Sequence, residues 1–173
     1  MWELIHTKRL SIKSIGTIDA TDPVLREIVG WLNNPLVVRF SEQRHRKHTI
    51  KSQSIYMSLF NNMDYYLGIY LDEDILIGTA TVLQDAPNRT ANIGIMIGDH
   101  SIWGFGYGYE AWLAICDRIL GGVTRKVEAG CMACNTSMMS ICSRYGMMEE
   151  GRQEDHFLYH DVPMDLVHWG KIK

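Results

Sequence analysis

The sequence predicts an α+β fold, of mixed α/β character, with a largely antiparallel sheet and flanking helices. Residues 65–71, 75–83 and 90–98 are largely apolar, and short polar turns separate them, as in successive antiparallel strands. After residue 108 the hydrophobic period changes from two to 3.6, and helical and strand patterns then alternate. A run of strands and helices of this kind in one chain is typical of the mixed classes.

The N-terminal third is predicted to hold one strand and two helices. Residues 4–15 have the composition of a strand. The first helix begins at Thr21-Asp22-Pro23, where a capping residue precedes a first-turn proline, and Asn33-Asn34-Pro35 ends it. The second helix is predicted over residues 49–60.

The C-terminal half is predicted to continue with two helices and three strands. A helix over residues 110–120 ends at Gly121-Gly122, since glycine commonly terminates helices. The next strand and helix are predicted over residues 126–134 and 136–145. Residues 155–159 and 164–169 read as a final antiparallel pair around the His160-Asp161 turn.

Length and charge predict one soluble domain spanning residues 1–173. A chain of 173 residues, 46% hydrophobic, is long enough to bury a core without disulfides or metals. With 17 Lys and Arg against 20 Asp and Glu, the net charge is −3. This charge argues against a protein whose whole surface binds nucleic acid or an anionic membrane. The chain has neither an apolar transmembrane run nor a secretory leader pattern, so a cytoplasmic protein is expected. It is expected to be a monomer or a homodimer.

The four cysteines lie in the C-terminal half and are expected to be reduced thiols. Cys131 and Cys134 have CxxC spacing, so a zinc or redox role competes with a structural one. In a strand, however, two side chains three residues apart point to opposite faces, and no second pair completes a tetrahedral set. The prediction is therefore that the chain has no metal site.

The strongest chemical motif is the glycine-rich segment 103–111 (WGFGYGYEA), between a predicted strand and a predicted helix. Alternating glycines let backbone N–H groups turn toward an anion, and the helix N-terminus adds a positive dipole end. A plain strand-to-helix turn is the alternative. The segment also fits the dinucleotide fingerprint, with Glu128 lying 22 residues after Gly106. That fingerprint requires a parallel, doubly wound sheet, which the preceding hairpins do not favour.

Three segments together resemble the GNAT N-acetyltransferase superfamily, in particular the branch of ribosomal-protein alanine and small-amine acetyltransferases. They are residues 91–98 (ANIGIMIG), the segment 103–111, and Asn135 with residues 144–151 (RYGMMEEG). Residues 31–35 (WLNNP) also match the first helix of that branch. The resemblance implies a GNAT-like fold with a splayed strand pair and acetyl-CoA as co-substrate.

By this resemblance, acetyl-CoA lies where strands 90–98 and 126–134 part. Strand main-chain groups would pair with the pantetheine arm, and loop amides would hold the diphosphate. Asn135 has a helix cap as its alternative role, and Arg144 could simply be a solvated helix residue. The residues implied to bind the coenzyme are Met96, Ile97, Gly98, Trp103, Gly104, Phe105, Gly106, Tyr107, Gly108, Asn135 and Arg144.

The sequence departs from the family pattern at two positions that bear on proton transfer. Cys142 stands where many members place a tyrosine that protonates the leaving thiolate; a proton donor and a small core residue are equally open readings of it. Asn92 stands where relatives often carry a carboxylate near the start of the strand. A water relay, His100 or a group on the acceptor side could serve as the base.

Residues 39–51 are predicted to contribute to the acceptor pocket, because the family builds that pocket around the two early helices. The segment is strongly basic, and Arg39, Arg44 and His45 are the candidate acceptor-binding residues, although a solvated loop is the alternative. A basic pocket favours a small anionic acceptor, such as a nucleotide-linked amino sugar, whose primary amine is acetylated. Acetylation of a protein N-terminus and a non-catalytic acetyl-CoA-binding module remain the other two hypotheses.

Overall fold

The computed structural model describes residues 3–16, 22–60 and 64–173, which form one eight-stranded sheet flanked by five α-helices. The strands are β1 (Ile5–His6), β2 (Leu10–Ser14), β3 (Tyr65–Leu71), β4 (Ile75–Asp85), β5 (Thr90–Ile97), β6 (Lys126–Met132), β7 (Met148–Tyr159) and β8 (Val162–Ile172). The helices are α1 (Pro23–Leu32), α2 (Pro35–Val38), α3 (Ile50–Ser58), α4 (Tyr107–Gly121) and α5 (Thr136–Tyr145). Short 3₁₀ turns cover Glu42–His45 and His100–Ile102.

The sheet opens at its centre between β5 and β6. The strand order is β1-β2-β3-β4-β5-β6-β8-β7, and β5 and β6 are the parallel neighbours in it. Their pairing covers only residues 90–92 against 126–128, whereas β5 stays paired with β4 to Ile97 and β6 stays paired with β8 to Met132. The two strands therefore part after Asn92 and Glu128, and the described pairing between them does not continue beyond these residues.

Helices cover both faces of the sheet. Since side chains alternate along a strand, Leu67 and Ile69 pack in the core beneath α4 and α5, while Tyr66 and Tyr70 pack beneath α1 and α3. The first core is centred on Trp112, the largest fully buried side chain. The mixed, largely antiparallel architecture predicted from the sequence is confirmed. No helix in the described ranges is long and apolar enough to cross a bilayer.

Several element boundaries differ from the predicted ones for local reasons. The predicted strand 4–15 is divided because the Thr7 hydroxyl accepts the amides of Arg9 and Leu10 and turns the chain between β1 and β2. In the α1 cap, Asp22 accepts the amide of Val24 at 2.8 Å, and Thr21 lies outside the described residues. The predicted helix 49–60 is the shorter α3, whose capping box joins Thr49 and Ser52.

Helix α4 and the last hairpin also have bounds that differ from the predicted ones. Helix α4 begins at Tyr107, three residues before the predicted start, because Gly106 adopts a left-handed φ of 84° and serves as its N-cap. Helix α2 and the 3₁₀ turn at Glu42–His45 were not predicted. The final hairpin is longer than predicted. Strand β7 shows no alternation of apolar and polar residues from which its length could be predicted, because almost all its side chains are exposed. Helix α5 has the predicted bounds, residues 136–145.

Candidate active site

The glycine loop (residues 103–111) presents backbone amides without described partners at the start of α4. Gly104 and Gly106 have φ values of 87° and 84°, which favour glycine, and α4 has no side-chain N-cap. Among the described residues, no acceptor is bonded by the backbone N–H groups of Gly104, Gly106, Tyr107, Gly108 and Tyr109. The amide of Phe105, by contrast, bonds the Ile102 carbonyl at 3.4 Å. Free amides at the positive end of a 15-residue helix form an anion site made of main chain.

The turn between β1 and β2 fixes this loop in place through Glu110. The Glu110 carboxylate accepts the Thr7 hydroxyl at 2.6 Å and the Arg9 Nε at 2.7 Å. Arg9 also donates to the Phe105 carbonyl at 3.0 Å, and its guanidinium lies 4.2 Å from the Tyr107 ring centroid. Burial acts to raise the pKa of Glu110, but the bonds from Thr7 and Arg9 outweigh it and hold the pKa below its ordinary value. Glu110 therefore stays ionised at neutral pH and keeps the loop anchored.

Main-chain groups of β5 face the gap at alternate residues. The Gly98 amide donates to the Ile77 carbonyl at 2.9 Å, so this residue points toward β4. Because the bonding direction alternates along a strand, Met96 also points toward β4, and Ile95 and Ile97 point into the gap. The predicted pantetheine contacts through the main chain of Met96, Ile97 and Gly98 stay a prediction, and of the three residues Ile97 is the one that this alternation directs toward the gap. The Ile97 carbonyl accepts the Trp103 indole N–H at 2.9 Å, which ties the loop to this strand.

Asn135 and Arg144 both lie near the α5 side of the gap. Asn135 follows the end of β6 and caps α5, since its side-chain oxygen accepts the Met138 amide at 3.2 Å. The Arg144 guanidinium lies 4.0 Å from the ring centroid of Tyr109, a residue of the loop-helix junction, and its side chain is exposed. The capping role of Asn135 is thus present, and Arg144 is free to reach a ligand beside the loop.

Cys142 lies on the face of α5 that packs into the core. Its side chain has no exposed surface, and burial raises the pKa of the thiol to about 12. Of the CxxC pair, Cys131 is also buried in β6, while Cys134 is partly exposed and follows the end of that strand. A fully buried thiol with a raised pKa is poorly suited to donate a proton, which favours the reading of Cys142 as a small core residue.

A pocket of about 390 Å³ lies on the face of the sheet opposite α4 and α5, between the α1–α3 layer and strands β3 to β5. It reaches β5 at Gly94, Ile95 and Met96, the stretch whose other edge borders the gap. Within the described part of the chain its charged lining residues are Arg46 and Lys47, and no carboxylate lines it. The remaining lining residues are Leu32, Ser41, Gln43, His48, Ser52, Gln53, Tyr56, Tyr66, Thr79, Ala80 and Thr81.

The floor of this pocket is a buried polar network. The Gln53 amide donates to the Tyr66 hydroxyl at 3.1 Å, and both residues are at least 95% buried, as is Thr79. Burial raises the pKa of Tyr66 to about 12, although bonds with Thr79 and Gln53 oppose the rise. The floor therefore offers neutral hydrogen-bonding groups at neutral pH.

None of the three predicted acceptor-binding residues lines this pocket. The Arg39 guanidinium lies between the rings of Phe40 and Trp103, at 4.8 and 5.3 Å from their centroids. Arg44 bonds Glu42 at 2.7 Å and the Leu158 carbonyl at 3.0 Å, so it ties the 3₁₀ turn to β7. His45 is exposed. The basic segment does reach the pocket, but through Arg46, Lys47 and His48, an outcome decided by the direction of the 3₁₀ turn.

A pocket and a set of loop amides without described partners both adjoin β5, an arrangement that fits a coenzyme-dependent group transferase. The family model of the acetyltransferase (GNAT) domain matches residues 9–148. The chain belongs to the GNAT acetyltransferases, and it is an N-acetyltransferase with acetyl-CoA as co-substrate. A comparison with curated protein sequences finds no match.

Solved structures share the fold over nearly the whole chain. A GNAT-family acetyltransferase from Bacillus anthracis is 17% identical, with 98% of each chain covered and a TM-score of 0.79. A ribosomal L7/L12 alpha-N-protein acetyltransferase in complex with coenzyme A is 14% identical, with 98% of each chain covered and a TM-score of 0.82. A Vibrio cholerae spermidine N-acetyltransferase in complex with CoA and spermine is 15% identical, with 96% of each chain covered and a TM-score of 0.81.

Proposed function

We propose that this acetyltransferase acts on the primary amine of a small anionic acceptor, such as a nucleotide-linked amino sugar, bound in the 390 Å³ pocket. The observation that carries the proposal is the charge of the lining. Arg46 and Lys47 line the pocket, neither forms an ion pair with a described residue, and no described carboxylate lines the pocket. Unpaired cations at a pocket favour phosphate or carboxylate groups and disfavour a polycation.

The coenzyme side is proposed to hold acetyl-CoA through main chain. The amides of Gly104, Gly106, Tyr107 and Gly108 would bind the diphosphate, as their lack of described partners and the α4 dipole support. Arg144 would reach a phosphate from beside Tyr109, and Asn135 would contact the pantetheine arm in addition to capping α5. These residues position the thioester at the stretch of β5 that the acceptor pocket also reaches.

The chemistry is proposed as direct attack by the amine on the thioester within a ternary complex. Holding both reactants along β5 replaces a bimolecular encounter, which is worth a large part of the rate. The main-chain N–H groups of Ile95 and Ile97, which strand alternation directs toward the gap, are the proposed donors to the developing oxyanion. The departing thiolate needs only modest help, because free thiols have a pKa near 8.5.

The proposal predicts a preference for anionic acceptors in an assay of CoA release. Matched pairs with the same amine, such as glucosamine 6-phosphate against glucosamine, isolate the contribution of the negative charge. A panel of nucleotide-linked amino sugars, N-terminal peptides and spermidine compares the acceptor classes. We expect kcat/KM to be at least about tenfold higher for the anionic member, since two charge contacts of about 1 kcal/mol each are gained.

Charge reversal at the pocket tests the same point from the protein side. The double variant Arg46→Glu/Lys47→Glu should abolish the preference for anionic acceptors. The control is Lys51→Glu, an exposed residue of α3 outside the pocket lining, which should leave the preference unchanged. Higher salt should also weaken the preference, because exposed charges are screened. Faster turnover of peptides or spermidine would contradict the anionic acceptor, and acetyl-CoA binding without turnover of any amine would favour a coenzyme sensor.

A further inference from the structure

Arg9, in the turn between β1 and β2, holds its guanidinium group against the glycine loop. Its Nη1 donates to the Phe105 carbonyl at 3.0 Å, its Nε donates to Glu110 Oε2 at 2.7 Å, and the group lies 4.2 Å from the Tyr107 ring centroid. These contacts fix the position and the plane of the guanidinium. A group held in this way loses little further side-chain freedom when it binds a ligand.

The bonds of Arg9 leave part of its guanidinium without a described partner. A guanidinium has N–H donors on Nε, Nη1 and Nη2, and the bonds to Glu110 and Phe105 use the first two nitrogens. Nη2 donates to no acceptor among the described residues. Both oxygens of the Glu110 carboxylate are already occupied, because Oε1 accepts the Thr7 hydroxyl and the Arg9 amide and Oε2 accepts Arg9 Nε. Nη2 is therefore a cationic donor that a ligand can use.

Nη2 lies beside the part of the loop whose amides also lack described partners. A Cβ at Gly106 would lie 3.7 Å from Nη2, and glycine leaves that space empty. Gly104 and Gly106 are exposed, and the Arg9 side chain is 38% exposed, so both the loop and this side chain are open to solvent. Among the described residues, Glu110 supplies the one carboxylate within 4.0 Å of the Arg9 guanidinium. An anion that reaches the loop amides therefore also comes close to this cation.

We propose that Arg9 Nη2 binds the diphosphate of acetyl-CoA together with the amides of Gly104 and Gly106. This rests on the coenzyme side of the proposed function, in which those amides hold the diphosphate. A guanidinium forms charge-assisted hydrogen bonds with phosphate oxygens, and these are stronger than bonds between neutral groups. The amides at a helix N-terminus carry only partial positive charge, whereas Arg9 supplies a full charge. Arg9 is thus a coenzyme-binding residue as well as an anchor of the loop.

The test is calorimetric titration of Arg9→Gln with acetyl-CoA in the absence of any amine. We expect Kd to rise by about tenfold, the scale of one charge-assisted hydrogen bond. Lys8→Gln is the matched control, because it removes the same charge from a neighbouring exposed position, and its Kd should stay within about twofold of wild type. A Kd for Arg9→Gln that is equally close to wild type would overturn the proposal.

A second coenzyme analogue identifies the phosphate. Acetyl-dephospho-CoA lacks the 3′-phosphate and keeps the diphosphate, so Arg9→Gln should lose the same affinity for it as for acetyl-CoA. A loss confined to acetyl-CoA would overturn the assignment to the diphosphate.

Glu110→Gln separates phosphate binding from loop anchoring. Arg9→Gln and Glu110→Gln break the same ion pair, so a role in anchoring alone predicts that both raise Kd alike. If Arg9 binds the diphosphate, Glu110→Gln removes a competing negative charge and keeps a side-chain oxygen for Thr7, so its Kd should equal that of wild type or fall below it. A rise in Kd as large as that of Arg9→Gln would overturn the proposal. If Arg9→Gln does not fold, Arg9→Lys, which lacks the planar fork, should raise Kd by at least about threefold.

Wild type is titrated in parallel with acetyl-pantetheine, which carries no phosphate. Equal affinity of wild type for acetyl-pantetheine and acetyl-CoA would contradict the coenzyme side of the proposed function. Weaker binding of acetyl-pantetheine, with no effect of Arg9→Gln on acetyl-CoA, would overturn the role of Arg9 alone. Since no amine is present, the identity of the acceptor does not affect either result.

Discussion

Replacing Gly106 by valine is expected to raise the Kd for acetyl-CoA by about 10- to 100-fold. Gly106 has a φ of 84° at the N-cap of α4, a conformation that costs an ordinary residue about 1–2 kcal/mol and a β-branched residue more. Relief of this strain rotates the peptide groups on either side, which redirects the free amides away from a common point. Since each 1.4 kcal/mol is a factor of ten in affinity, the loss should reach that range.

The measurement is calorimetric titration of the purified variant with acetyl-CoA. Gly121→Ala is the matched control, because it lies at the other end of α4 and a Cβ there meets no atom within 4 Å. Its affinity should equal that of wild type, and thermal melting should show both variants folded. A Gly106→Val variant that binds acetyl-CoA as tightly as wild type would contradict a role for the loop conformation.

Replacing Gly98 by alanine is expected to lower the free energy of unfolding by about 1–3 kcal/mol, the usual cost of overpacking a core. A Cβ at Gly98 would fall well inside contact distance of the Trp31 indole, which is buried between α1 and the end of β5. A shift of Trp31 should disturb the next two residues, Leu32, which lines the proposed acceptor pocket, and Asn33, whose side chain accepts the His48 amide. We therefore expect the KM for the acceptor to rise as well.

Thermal and urea unfolding measure the first effect, and a drop in Tm of several degrees is expected for a chain of this size. Gly30→Ala is the control: it lies one residue before Trp31, and a Cβ there meets nothing within 4 Å. Alanine in a helix interior should stabilise the protein by about 0.5–1 kcal/mol. Gly98→Ala/Trp31→Leu should recover part of the lost stability. Unchanged stability in Gly98→Ala would show that the indole is not held against this glycine.

The elements with strong local signals could be predicted from the sequence. Helix α5 has the predicted bounds because Asn135 caps it and Gly146, with a φ of 81°, ends it. The position of the glycine loop also followed from its composition. Strand β7 could not be bounded, because it is an edge strand with polar, exposed side chains and carries no alternation.

The sequence did not predict which side chains of the basic segment line the pocket. The basic segment 39–51 is visible in the sequence, but which of its side chains enter the pocket depends on the 3₁₀ turn at Glu42–His45 and on the bond from Arg44 to β7. The Asn33 side chain bonds both the amide and the carbonyl of His48, which lies 15 positions further along the chain. No periodic pattern in the sequence encodes these two bonds. His48 Nε2 is inaccessible to solvent and has no hydrogen-bond partner among the described residues, and no feature of the sequence indicates this.

Amide hydrogen exchange, resolved by residue, tests the central claim most directly. The claim is that the free N–H groups of the glycine loop bind the diphosphate of acetyl-CoA beside the parted strands β5 and β6. Saturating acetyl-CoA should slow exchange at Gly104, Gly106, Tyr107 and Gly108 by at least about tenfold, as ligand binding suppresses local opening. Slowed exchange elsewhere in the protein, with these four amides unchanged at saturation, would contradict it.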